Sequence, residues 1–131
     1  MIHFSDSGPI YLQIVEDFKL QLANGTLKSG EKLPSGRDLA IQIKVNPNTV
    51  ARAYQELERQ GITETRRGLG TFIVENKDLV PKLREAMSMK IIDDFLMYMK
   101  AAGFSADEIP ALITEALRNK SDESQKKVEE N

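Results

Sequence analysis

Apolar side chains recur along this chain in two rhythms, and the rhythm changes where proline, glycine or small polar residues cluster. Ile10, Ile14, Phe18 and Leu22 stand four apart with Val15 alongside, the spacing of one face of an amphipathic helix. Pro9 sits where a first helical residue belongs, because its missing N–H would be unpaired there anyway. Asn24-Gly25 supplies a left-handed stop. Leu27 and Leu33 then anchor an ordered loop closed by Pro34, and Ser35 is a good N-cap for a short second helix to about Ile43. Leu39, Ala40 and Ile43 form its inner face. Asn46-Pro47 opens a third helix with cap and first-turn proline in their preferred places. Val50, Ala53, Tyr54 and Leu57 are its buried stripe, and Gly61 ends it. The period then shortens. Ile62 to Arg66 and Thr71 to Val74 are β-prone runs around Arg67-Gly68-Leu69-Gly70, whose glycines permit the positive φ of a tight hairpin.

After Asn76 a helical rhythm returns and does not break until Ala102: Leu79, Leu83, Met87, Ile91, Phe95, Tyr98, Ala102, widened by Val80, Ile92, Leu96 and Met99. Such a helix spans about 37 Å at 1.5 Å per residue, more than the small core beside it can cover. Gly103 stops it. Ser105-Ala106-Asp107-Glu108 has the form of a capping box, with Phe104 and Ile109 as its hydrophobic staple. Leu112, Ile113, Ala116 and Leu117 are the inward face of a last helix. Pro110 is awkward five places into it, so the helix is either kinked there or begins later. The expected architecture is mainly α with a small β-wing. A winged helix-turn-helix occupies residues 1–76 and a two-helix dimerisation region residues 77–119. Residues 120–131 are almost wholly polar and read as a disordered tail.

Composition narrows the partners. The 131 residues suffice for one small domain with an extension. No apolar run approaches the roughly 20 residues of a membrane span, and the opening lacks the layout of a secretory signal. With no cysteine, disulfides and thiolate metal sites are excluded, and a cytoplasmic location is expected. Formal charge is −2 overall, with 9 Lys/Arg against 9 Asp/Glu in residues 1–76. Affinity for DNA therefore has to come from local clustering around Arg52, Arg59, Arg66 and Arg67, and non-specific binding should be weak.

With one stripe of the third helix inward, Asn48, Thr49, Arg52 and Gln55 face out. Their chemistry suits base edges: Arg for guanine, Asn or Gln for adenine, Thr for a thymine methyl or a phosphate. Arg37 opens the preceding helix within reach of a phosphate. Arg66, Arg67 and Gly68 shape a cationic wing tip for a neighbouring groove. Each feature has a plain structural alternative: Arg37 pairing with Asp38 or Glu31, Arg52 and Gln55 as solvated surface, Asn46-Pro47 as a good helix start. Their shared order and facing is what the plain alternatives do not produce. Met87, Met89, Met97 and Met99 suit core filling or an adaptable interface better than a ligand pocket. No catalytic set, metal ligands or cofactor site is expected, and no residue pattern calls for a small-molecule effector.

The same residues resemble a known family. Pro9-Ile10-Tyr11, Gly30 through Ala40, Asn46 through Tyr54, Leu57, Gly61 and Arg67 through Phe72 are similar to the GntR family of bacterial transcription regulators. The short helical extension resembles the YtrA subfamily. The resemblance implies DNA contacts from Arg37, Asn48, Thr49, Arg52, Arg67 and Gly68, and a homodimer on a pseudo-palindromic operator. Pro47 and Ala51 depart from relatives that carry contacting arginines there, so a different operator is expected. A wide apolar stripe needs a partner in any case, and Leu79, Leu83, Met87, Ile91, Phe95 and Tyr98 are the expected interface, with half-sites about 10 bp apart. A repressor is expected, since an effector-less dimer most simply works by occupying a promoter, and the resemblance implies membrane-transporter genes as its targets. The competing reading is a winged helix that binds protein. The pyridoxal-phosphate domain fused to some relatives has no room here.

Overall fold

The computed structural model describes Phe4 and residues 8–129, with side chains as far as Gln125. Most of the polar opening, including His3, and the last two residues of the tail lie outside the described residues. The elements are α1 (Ile10–Ala23), α2 (Gly36–Ile43), α3 (Pro47–Arg59), β1 (Thr63–Arg66), β2 (Gly70–Ile73), α4 (Leu79–Ala101) and α5 (Ile109–Glu129). They fall into two compact units, Met1–Ala86 and Met87–Asn131.

In the first unit, three helices close on one core. Ile14, Val15, Phe18 and Leu22 of α1 meet Leu39 and Ala40 of α2 and Val50, Ala53 and Leu57 of α3, with Leu33, Ile62 and Ile73 from the loop and the wing. Ile10 is exposed, because it lies at the very start of α1. Pro9 stands just outside the helix as its N-cap, at φ −62°.

Local chemistry sets the angle between α2 and α3. The Asp38 N–H donates to Ser35 Oγ at 3.1 Å, and α2 ends on Lys44 at φ 57°. Lys44 is the only described non-glycine residue with positive φ. This left-handed turn lets the Val45 N–H reach back to the Ala40 carbonyl at 3.0 Å. Asn46 Oδ1 then accepts the Asn48 N–H at 2.8 Å, and Pro47 starts α3.

β1 and β2 pair antiparallel from Thr63↔Ile73 to Arg66↔Gly70. The loop before α2 adds a third edge. The Leu33 N–H donates to Thr71 O at 2.9 Å and the Ile73 N–H to Glu31 O at 2.8 Å, around a Lys32↔Phe72 bridge. The wing is thereby tied to the entrance of α2.

The first unit also takes in the start of α4, ten residues past the boundary at residue 76. Leu79 and Leu83 pack against the core, and Arg84 Nη1 donates to the Ala23 carbonyl at 2.6 Å. That carbonyl lies in the last turn of α1, where no intrahelical N–H is available.

In the second unit, Gly103 at φ 93° ends the α4 segment, and the Phe104 N–H closes on Met99 O at 3.0 Å. Helix α5 begins at Ile109, later than the capping box suggests, so Pro110 falls in its first turn and deletes no helical bond. Half of the box survives: Ser105 N–H donates to Glu108 Oε2 at 3.2 Å. Helix α5 runs on to Glu129, through the stretch expected as a tail. Its Glu, Gln, Lys and Arg residues are good helix formers, and Glu115–Arg118 adds an i,i+3 pair at 3.3 Å. Leu112, Ile113 and Leu117, expected inward, are exposed on this chain by itself, and among the described apolar side chains of α5 only Ile109 is buried. No described helix is long and apolar enough to cross a membrane.

Tyr54 joins the layers of the first unit. Its hydroxyl donates to the Pro34 carbonyl at 2.6 Å, and its ring meets Phe18 edge-on at 6.0 Å. Burial pushes the phenol from 10.0 up to about 12, so the fold favours the neutral form. This contribution to stability is whole below pH 10 and fades as pH rises towards about 12. Tyr54→Phe should destabilise by about 1 kcal/mol at neutral pH, and thermal melts between pH 10.0 and about 12 should lose the part of the alkaline decline that Tyr54 causes.

Candidate nucleic-acid interface

Burial of Val50, Ala53 and Leu57 fixes which side of α3 faces away from the core. At about 100° per residue, Asn48, Arg52, Gln55 and Arg59 fall within about 60° of one another on the opposite side, and all four are exposed. Thr49 does not share this stripe. It is half-buried on the flank of the first turn.

The four outward side chains are not equivalent. Arg52 lies over the Tyr11 ring, its guanidinium carbon 4.0 Å from the centroid, and it forms no ion pair among the described residues. Arg59 is held by Glu56: Nε donates to Oε2 at 2.8 Å and Nη2 to Oε1. Gln60 Nε2 also donates to that carboxylate, at 2.9 Å. The hydrogen bonds from Arg59 and then Gln60 draw Glu56 from 4.5 down to about 2. The same bond to Glu56 holds Arg59 above its ordinary value. Sequence alone groups Arg59 with the clustered cations Arg52, Arg66 and Arg67 and does not show that it is held. The Glu56–Arg59 spacing is the available signal, and it shows why this cation is neutralised where it stands.

Arg37 is exposed in the first turn of α2 without the ion pairs to Asp38 or Glu31 that its neighbours in sequence suggest. Glu31 accepts the Lys28 N–H at 2.9 Å instead. On the wing the two arginines part company. Arg66 donates through Nε and Nη2 to Glu64 Oε1, at 3.0 and 2.8 Å, and its guanidinium lies 4.3 Å from the Phe72 centroid. Two of its five N–H donors are taken up within the hairpin. Arg67 is exposed and has no ion pair among the described residues. Gly68, at φ 78°, occupies the third place of the turn that the Leu69 N–H closes on Arg66 O at 2.9 Å.

One further cation is invisible to sequence reasoning. Lys32 lies across the wing at Gly70, where an added Cβ would stand 2.9 Å from Lys32 Cε. Lys32 borders a crevice of about 530 Å³ shared with Ser35, Asp38 and Thr71. The strand-like pairing of Lys32 with Phe72 brings it there, and nothing in the local sequence signals that pairing. Exposed Arg37, Arg52, Arg67 and Lys32 thus decorate α2, α3 and the wing, with Asn48 and Gln55 as neutral donors and acceptors beside them. Among the described residues, no three His, Cys, Asp or Glu side chains gather to hold a metal.

Comparison with known proteins agrees with this geometry. Residues 10–73 match the family model described as bacterial regulatory proteins, gntR family. The chain is 46% identical to the HTH-type transcriptional regulator YhcF of Bacillus subtilis, over 81% of this chain and 88% of that protein. It is 47% identical to the HTH-type transcriptional repressor YtrA of the same organism, over 66% of this chain and 72% of that one. A solved GntR family transcriptional regulator from Listeria monocytogenes superposes with a TM-score of 0.80 at 37% identity, covering 86% of this chain and 98% of that one.

Glu56 is the acidic residue bound into the outward stripe of α3, and its removal tests whether that stripe meets DNA. Glu56→Gln should release Arg59 and delete one negative charge. Binding to random duplex should tighten, and the slope of log K against log salt should steepen by about 1 to 2, read by fluorescence anisotropy. An unchanged slope would place the stripe away from the phosphates. Because folding lowers the Glu56 value, the wild-type pair stabilises above about pH 4.5 and is lost as pH falls towards about 2. The variant should lack that acid dependence.

Proposed function

The chain belongs to the GntR family of bacterial regulatory proteins and is a transcriptional regulator with a DNA-binding domain, and from that premise we propose that it is a repressor that occupies a pseudo-palindromic operator as a homodimer. The observation that carries the proposal is the outward stripe of α3, with Asn48, Arg52 and Gln55 exposed on a helix whose opposite face is sealed in the core. In a helix-turn-helix this is the helix that enters the major groove. Arg52 suits guanine, and Asn48 and Gln55 suit adenine. Arg37, Lys32 and Thr49 serve the phosphates that set register, and Arg67 beside Gly68 reaches the neighbouring groove. Arg66 is assigned a structural role in the hairpin.

The homodimer rests on apolar surface. Ile91, Phe95 and Tyr98 of α4 are exposed, with Met89, Ile92 and Leu96 among them and Leu112, Ile113 and Leu117 on α5. Monomers rarely leave so much large apolar side chain in water, and a two-fold partner covers it while setting two copies of α3 on two half-sites. Leu79 and Leu83 are left out of this interface because the core already uses them. Repression follows from occupancy of a promoter, and the relative YtrA is named a repressor. Membrane-transporter genes are the targets that the family likeness suggests.

Selection from a random duplex pool tests the reading. A two-fold symmetric consensus is expected. Arg52→Ala should lose about 1–3 kcal/mol on it and relax one base position. Arg67→Ala should weaken all sequences alike and lower the salt slope by about 1. No enrichment, or an indifferent Arg52→Ala, would turn attention to protein partners.

Sedimentation tests the dimer separately. Ile91→Asp should yield folded monomers that no longer hold the operator. Leu83→Glu should instead destabilise the first unit. A dimer that survives Ile91→Asp would remove this face from the interface.

A further inference from the structure

Arg52 differs from the other paired arginines of this unit in what holds it. Arg59 and Arg66 each give their N–H edges to a carboxylate, Glu56 and Glu64. Arg52 gives its edges to no carboxylate among the described residues, yet its guanidinium sits over an aromatic ring at 4.0 Å. That ring is Tyr11, in the first turn of α1, half-buried and packed against the core. The platform is therefore fixed while the cation above it faces outward.

A guanidinium is planar, and its N–H donors point outward in that plane. Stacking on a ring occupies the face and leaves the donor edges free. It also restrains a long side chain that otherwise loses considerable rotamer freedom when it binds. We propose that Tyr11 is a positioning residue for sequence readout, its ring holding Arg52 so that the guanidinium edge meets guanine in the major groove. This rests on Arg52 being a base reader. It adds that a residue of α1, outside the α2–α3 pair, sets how well Arg52 reads.

The test uses the selected operator, the full chain and four variants: Tyr11→Phe, Tyr11→Leu, Arg52→Ala and the Tyr11→Leu/Arg52→Ala double. Tyr11→Leu should weaken consensus binding by about three- to tenfold and relax the same base position that Arg52→Ala relaxes. Random-duplex binding should stay within about twofold of wild type, because taking the ring from beneath one guanidinium leaves every phosphate-binding side chain in place. Tyr11→Phe keeps the ring and should match wild type. The double variant should bind no worse than Arg52→Ala alone.

Additive losses in the double variant, or a loss equal on all sequences, would overturn the positioning role and leave Tyr11 a packing residue. If Arg52→Ala relaxes a base position and Tyr11→Leu does not, only the positioning role falls. If Arg52→Ala changes nothing, the base-reading proposal falls and this one with it. Should Tyr11→Leu melt early, NMR of the free wild type and Tyr11→Phe decides instead. The Arg52 side-chain N–H signal should carry a ring-current shift in both, and its absence would overturn the proposal.

Discussion

Burying one stripe of α3 determines the presentation of the other. Val50, Ala53 and Leu57 are sealed against α1 and α2, and removing apolar side chains of this size from water is worth about 1.5–3 kcal/mol each for the larger ones. No rotation of α3 keeps that burial and alters the outward set. The Lys44 turn and the Asn46 cap then set where the helix begins, so that Asn48 and Arg52 occupy its first two turns. Tyr54 fastens the same helix to the loop before α2 through Pro34. That loop pairs with β2. Helix α3, the α2 entrance and the wing are thus tied together by packing and hydrogen bonds.

Charge in the first unit is organised by local pairing. Two of its arginines are neutralised in place, Arg59 by Glu56 and Arg66 by Glu64, while Arg37, Arg52 and Arg67 form no ion pair among the described residues. A balance of zero over residues 1–76 then keeps general attraction to the phosphate backbone low. The unpaired arginines Arg37, Arg52 and Arg67 sit on α2, α3 and the wing.

Helix α4 has two roles along its length. Its first turns complete the core through Leu79 and Leu83 and close the end of α1 through Arg84. Beyond Ala86 most of its large apolar residues are exposed, and Leu112, Ile113 and Leu117 of α5 with them.

The sequence by itself determined the helices of the first unit, their inward faces and the hairpin, because periodicity, caps and turn glycines are local. It also determined that Arg52 and Gln55 face out, since that follows from 3.6 residues per turn once Val50, Ala53 and Leu57 face in. The extent of α5 was harder to read: a polar stretch has no stripe to reveal a helix, although its residues favour one. Only the tertiary structure decided which cations are free. Arg66 is held jointly by Glu64 and by Phe72 across the hairpin. Arg52 rests on the ring of Tyr11, far from it in the chain, and Lys32 is carried to the wing by pairing with Phe72. The tertiary structure likewise divided the stripe of α4 between core and surface. Periodicity tells which side of a helix is apolar, but what covers that side depends on contacts between residues far apart in the chain.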